Sequence, residues 1–214
     1  MNMRILSKPL FLAAICGAAM VFAPVVHAAQ TLAAPAGMQK ATFAGGCFWC
    51  MEPPFEGKPG VIRVTSGYLG GDTVDPSYEE VSSGSSNHAE AVEIVFDPSR
   101  ISYAELLEIY WRNIDPTVKN RQFCDVGSQY RSAIFVHDDA QRKAALQTKQ
   151  AHVDSPRFAG TMIYTEVLAS APFYAAEDYH QDYATRNPKR YAYYRWNCGR
   201  DDRLKAVWGT AAGH

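Results

Sequence analysis

Residues 43–56 read FAGGCFWCMEPPFE, which puts Cys47 directly after Gly45 and Gly46 and three residues before a second cysteine, Cys50. A thiol at a strand-to-helix turn faces free backbone N–H groups and the positive end of a helix dipole. The sequence therefore predicts a Cys47 thiolate able to act as nucleophile. The glycines leave room for a substrate to approach and permit backbone angles that other residues avoid. Phe48 and Trp49 offer an apolar recess beside the sulfur, although aromatics in a first helical turn also serve simply as core packing. Cys47 and Cys50 are also spaced as a disulfide-exchange pair, and Cys47 alone as an inert buried cysteine.

Glu90 is the second reactive candidate. In EAVEIVFDP, Glu90 falls in register with Val92, Ile94 and Phe96, on the apolar side of a strand. A carboxyl there loses solvation, keeps its proton and becomes a donor near neutral pH. Asp125 and Tyr130 flank a glycine turn in CDVGSQYRS, and Tyr68 sits in SGYLGG, so both tyrosines are placed to hydrogen-bond an oxygen gaining negative charge. The histidines form no His-x-x-x-His and there is no second Cys-x-x-Cys, so no metal is expected. His180, in EDYHQ, reads as a structural or supporting residue. Nucleotide-binding glycine motifs and Gly-x-Ser-x-Gly are absent, which removes nucleotide cofactors and serine hydrolysis from consideration.

These groups need a frame. KATFAGG is predicted as a strand, with a helix opening near Cys47 that Pro53 and Pro54 cut short. GVIRVTSGYLGG reads as a strand entering a long loop through residue 89, and residues 90–98 as another strand. Ser102 with Glu105 forms a capping box for a helix to about Asn113, with Leu106, Ile109 and Tyr110 inward. SAIFVH is a strand, Asp138 and Gln141 cap a helix to about Val153, and TMIYTEVL is a further strand. Pro172 is expected to start a helix through YAAEDYHQDYA, with a long C-terminal coil after it. Strands and helices mix without a strict βαβ repeat, which predicts an α+β fold: a single domain with a mixed β-sheet and helices packed on it.

The chain has 214 residues, one ordinary domain plus a trimmed segment. Residues 1–28 read as a signal peptide: Arg4 and Lys8, a short apolar run broken by Pro24, then Val26 and Ala28 at the small-residue positions of a cleavage site. Ile15 stands where a lipidated Cys16 would need a small residue. Residues 29–39 are expected as a flexible leader and 40–214 as the catalytic domain, with no stable membrane insertion after cleavage. Loss of Arg4 and Lys8 leaves 19 basic against 22 acidic residues, a balance that offers nothing to nucleic acid or anionic membranes. Four cysteines then remain, Cys47, Cys50, Cys124 and Cys198, sparse for structural stapling and open to chemistry.

GGCFWCME, SGYLGG, HAEAVEIVFDP, CDVGSQYRSAIF, AEDYHQ and CGRDDRLKAVWG together, in order over about residues 40–209, resemble the peptide-methionine (S)-S-oxide reductases, the A-type methionine sulfoxide reductases. The resemblance implies a fold related to a ferredoxin-like roll and reduction of the S epimer of methionine sulfoxide, free or in proteins, without a cofactor. It makes Cys47 the nucleophile and Glu90 the acid that protonates the sulfoxide oxygen. Tyr68 and Tyr130 would bind that oxygen, Phe48 and Trp49 would form the methyl pocket, and Asp125 would organise the site. It also implies a sulfenic acid on Cys47, a disulfide to a second thiol, and a thioredoxin-like dithiol as reductant. Cys198, in a tail able to swing inward, is the favoured second thiol. Cys50, one helical turn from Cys47, is its rival, and Cys124 a third choice or a relay. The signal places such a monomer outside the cytoplasm, in a bacterial periplasm. The rival reading from another class is a Cys-x-x-Cys thiol-disulfide oxidoreductase built on Cys47 and Cys50, which would need neither Glu90 nor the tyrosines.

Overall fold

The computed structural model describes residues 33–209. The signal segment, the first four residues of the leader and the last five residues lie outside that range. Six strands form one sheet in the order β7-β6-β1-β3-β2-β8. They are β1 (Gln39–Gly45), β2 (Val61–Leu69), β3 (Ala89–Phe96), β6 (Ser132–Val136), β7 (Glu166–Ala169) and β8 (Tyr174–Ala175). Only β6 and β7 pair in parallel; every other neighbour is antiparallel. A two-stranded ribbon, β4 (Arg121–Gln122) and β5 (Asp125–Val126), stands apart from it. The expected α+β architecture with a mixed sheet is therefore what the chain adopts.

β1 and β3 occupy the centre, where Phe43 faces Val92 on one side and Ile134 on the other. Phe43, Val92, Ile94, Phe96 and Ile134 belong to the main core, with the helices α3 (Tyr103–Arg112) and α4 (Asp139–Val153). Phe43 stacks on Tyr110 of α3 at 4.9 Å between ring centroids. Truncating such a ring costs about 3–5 kcal/mol. Every residue of β3 is buried, on both faces. The second face carries a smaller cluster, with Ala91, Ala133 and Phe135, and Glu93 is accommodated there by an ion pair with Lys40 at 2.9 Å.

Local signals explain the helix starts. Ser102 accepts from the Glu105 amide while Glu105 accepts from the Ser102 amide, the reciprocal bonding that a capping box requires. Asp138 caps α4 through the Gln141 amide. α1 (Phe48–Met51) is a single turn, as Pro53 and Pro54 dictate.

Five expectations need correction. The loop after β2 contains a helix, α2 (Tyr78–Ser82), held by a second capping box between Ser77 and Glu80. On α3 the inward positions are Leu106, Leu107, Tyr110 and Trp111, with Ile109 half-buried. The strand in TMIYTEVL shrinks to β7, and Pro172 opens no helix: β8 follows it, then a 3₁₀ turn, Asp178–His180. The expected C-terminal coil is largely helical, with α5 (Tyr183–Arg186), α6 (Pro188–Asn197) and α7 (Arg200–Trp208). Pro188 occupies the first turn of α6, where its missing N–H costs nothing. Burial of Leu204, Val207 and Trp208 fastens α7 to the core, and the Trp208 indole donates to the Ile114 carbonyl at 2.9 Å.

Candidate active site

Cys47 caps the N-terminus of α1 at the end of β1, where Gly46 turns the chain with φ = 87°. A side chain at Gly46 would meet Gln122 Cβ at 2.6 Å, so this turn excludes every other residue on two counts. β3 runs beside β1 and presents Glu90 to the same spot. The Phe48 amide donates to Glu90 Oε2 at 3.1 Å, tying the carboxyl directly to the turn that carries the thiol. Cys47, Phe48, Trp49, Tyr78, Glu90, Asp125, Tyr130 and Tyr194 line one small recess of about 100 Å³. Residues drawn from positions as far apart as 47 and 194 thus converge on a volume suited to a few heavy atoms.

Each wall of the recess is held from behind. Trp49 stacks on Tyr183 at 3.7 Å with the rings nearly parallel, and its indole N–H donates to His180 Nδ1 at 3.0 Å. Burial holds His180 below the usual imidazole range, so the ring is neutral and its Nδ1 is free to accept. Phe48 lies 5.0 Å from the His180 ring. Tyr194 Oη donates to Asp125 Oδ2 at 2.7 Å, which fixes both against the opening.

Tyr68, expected at the site, is not among the residues lining the recess. It sits opposite Glu90 in the β2–β3 register, is 1 % exposed, and gives its hydroxyl proton to Glu177 at 2.9 Å. Glu177 also accepts from the Tyr78 amide at 3.0 Å. Tyr68 therefore helps to brace the segment carrying Tyr78, and Tyr78 takes the place at the opening that had been expected of Tyr68. The signal for Tyr78 was present in the sequence: Ser77 and Glu80 bracket it as a helix start inside the glycine-rich loop. Tyr194 had no local signal, since α6 is brought to the recess only by tertiary packing.

The electrostatics follow from burial. Glu90 is 2 % exposed, and burial first, with the nearby Asp125 and Cys50, pushes its carboxyl up to about 8 against the pull of the Phe48 amide. It is a neutral acid at physiological pH. Tyr78 is raised to about 12, chiefly by burial, and burial also raises Tyr130; both remain hydroxyl donors.

The thiols depart from expectation. Burial, then the hydrogen bond to Cys50 and, at the alkaline pH where it ionises, Glu90, push the Cys47 thiol well up. α1 is too short to supply a strong dipole, and its first amide is taken by Glu90. The hydrogen bond from Cys47 lowers Cys50 to about 6 in spite of burial, with Arg200 and Arg195 assisting. One negative charge is thus favoured on the pair, and it rests on Cys50. Cys198, the favoured second thiol, is not free: it is bonded to Cys124, with Cys47 and Cys50 the free thiols among the described residues. Cys124 is exposed and adjoins Asp125, so this bridge lies at the rim of the recess.

A neutral acid, a buried thiol with a thiolate beside it, hydroxyl donors and an apolar wall suit an electrophile whose oxygen must leave as it is protonated. The family pattern "Peptide methionine sulfoxide reductase" matches residues 39–212. The peptide methionine sulfoxide reductase MsrA of Bacillus licheniformis is 52% identical over 169 residues, covering 79% of this chain and 93% of that protein. Among solved structures, Mxr1 from Saccharomyces cerevisiae in reduced form superposes with a TM-score of 0.69 at 32% identity, over 75% of this chain and 92% of Mxr1. Mxr1 in complex with Trx2 gives 0.51 at 26% identity, over 72% of this chain and 91% of the other.

Proposed function

The chain belongs to the peptide methionine sulfoxide reductase family, and on that premise we propose that it reduces the S epimer of methionine sulfoxide in the recess between Cys47 and Glu90. The observation that carries this reading is the shared placement of a nucleophilic sulfur and a neutral carboxylic acid, joined through the Phe48 amide, in one small recess. The sulfoxide's methyl group sits against Phe48 and Trp49. Its oxygen accepts from Tyr78 and Tyr130 and faces Glu90. Cys50 takes the Cys47 proton, the Cys47 sulfur pair attacks the sulfoxide sulfur, and Glu90 delivers its proton to the oxygen. The oxygen ends on Cys47 as a sulfenic acid, and methionine leaves reduced.

Cys50 is the better placed second thiol, because it adjoins Cys47 and its sulfur gives up a proton more readily. The proton that Cys50 took passes to the Glu90 carboxylate, the Cys50 sulfur attacks the Cys47 sulfenic acid, an S–S bond forms, and hydroxide leaves as water with that proton from Glu90. The Cys124 and Cys198 thiols, once reduced, pass electrons inward and become a disulfide themselves. A Cys124–Cys198 bridge beside two free thiols is the product state of that transfer, which supports this order. The external reductant is a thioredoxin-like dithiol working on the exposed Cys124 sulfur. The complex of Mxr1 with Trx2 supports a partner of this class. Residues 1–28 direct export to the periplasm, where such a dithiol must be supplied from across the membrane.

Mass spectrometry of the fully reduced chain after one equivalent of the S-sulfoxide tests the scheme. One methionine is released per chain, with a new bridge at Cys47–Cys50 or at Cys124–Cys198. Cys198→Ser still releases that first methionine but fails to recycle with a dithiol protein. Methionine release by Cys47→Ser, or full recycling by Cys198→Ser, would discard the corresponding assignment.

A further inference from the structure

Arg200 is 1 % exposed, and a guanidinium stays charged at any physiological pH. A charge that deep calls for a counter-charge, since removing it from water costs several kcal/mol. Among the described residues Arg200 forms no ion pair, whereas the neighbouring Arg195 has its own partner in Asp201, at 3.0 Å from Nε. Arg200 Nη2 donates to the Asn113 carbonyl at 2.6 Å and to Met51 Sδ at 3.3 Å. Its plane lies 4.3 Å over the Phe123 ring, and its Nε is buried without a partner. Nη1 comes within 3.8 Å of the position a side chain at Gly46 would occupy. The guanidinium therefore packs under the turn from Gly46 to Met51, the turn that holds both thiols.

Resting on the reading that Cys50 resolves the Cys47 sulfenic acid, we propose that Arg200 is the positioning residue that holds Cys50 as a thiolate for that attack. The charged and titratable groups close enough to act on Cys50 are Cys47, Glu90, which is neutral, Arg200, Arg195, Asp125, Tyr191 and Tyr194. Only the two arginines are cationic. Asp125 is the other anion near Arg200, but it lies beyond ion-pair reach and already accepts from Tyr194. Cys50 is thus the anion left for the buried cation. Arg200 follows Cys198 by two residues and covers Phe123, which precedes Cys124, so the surface bridge also clamps this cation in place.

The experiment is iodoacetamide labelling of the reduced full chain across pH, without sulfoxide, with Cys50 read separately from Cys47 by fragment-ion mass spectrometry. Since no substrate is present, the outcome is independent of whether the chain reduces sulfoxides. The wild type should label Cys50 with a half-point near 6. R200Q should move that point up by about one unit, making labelling about tenfold slower below both half-points, and R200K should restore part of it. An unmoved profile in a folded R200Q overturns the proposal. Should R200Q not fold, thermal melts of Cys50→Ser decide instead. A thiolate depressed in the folded state contributes stability at alkaline pH that is lost as pH falls through about 6, so the melting-point gap to wild type must widen from pH 6 to 8. A constant gap overturns it equally.

Discussion

Glu90→Gln separates proton donation from shape. Glutamine keeps an oxygen for the Phe48 amide, now 3.1 Å from Oε2, and keeps the side-chain volume in a site that is 2 % exposed, but it has no proton to give. Loss of a positioned general acid costs about 10²–10⁴-fold, so kcat/KM for the S-sulfoxide should drop by about 3–5 kcal/mol in barrier terms. The wild type carries a second signature. With the carboxyl at about 8, its neutral fraction falls steadily above that point, so single-turnover methionine release should decline about tenfold per pH unit on the alkaline side. Glu90→Gln should lack that limb. Stability moves the other way. An acid raised from 4.5 to about 8 binds its proton more tightly when folded, so its ionisation destabilises the fold progressively as pH rises between those values. From pH 5 to 8 the wild type should lose about 3 kcal/mol relative to Glu90→Gln, measured by urea unfolding at each pH. A variant that keeps most of its activity, or one that retains the alkaline limb, would refute the assignment of Glu90 as the acid.

Three further outcomes follow from the placement of the tyrosines and the N-terminal segment. Tyr78→Phe should lower single-turnover kcat/KM by about ten- to a hundredfold, the cost of one lost donor to a developing oxyanion. Tyr68→Phe should act mainly on stability, by about 0.5–1.5 kcal/mol, because it removes one donor from Glu177, which keeps the Tyr78 amide; the reverse ranking in stopped-flow assays would restore Tyr68 to the opening. N-terminal sequencing of the exported protein should begin at or just after Ala29, and full-length chain confined to the cytoplasm would remove both the export proposal and its trans-membrane electron supply.

Much of the frame was legible because its determinants are local. The capping box at Ser102, the N-cap at Asp138, the glycine turn before Cys47 and the prolines ending α1 each act within a turn or two. The alternation of Glu90 with Val92, Ile94 and Phe96 placed the carboxyl on the core face correctly, though β3 proved buried on both faces, because other segments cover the side that carries Glu93 and Ala91. The C-terminal helices were missed because their buried residues are few, so the apolar periodicity that announces a helix is weak there. Tyr68 and Tyr78 could not be ranked from neighbouring residues alone, since the difference between them is Glu177, which meets both from about a hundred positions away.

Residue order alone determined which groups could react: two cysteines one helical turn apart, an acid on an apolar strand face, and aromatics around them. These are matters of spacing along the backbone. Which sulfur carries the charge was decided only in three dimensions, by the hydrogen bond between Cys47 and Cys50, with Arg200 and Arg195 brought near from the C-terminal helices, and by Glu90 occupying the amide that would have served Cys47. Ionisation depends on burial and on charges brought close through space, and neither is encoded in any short stretch of the chain.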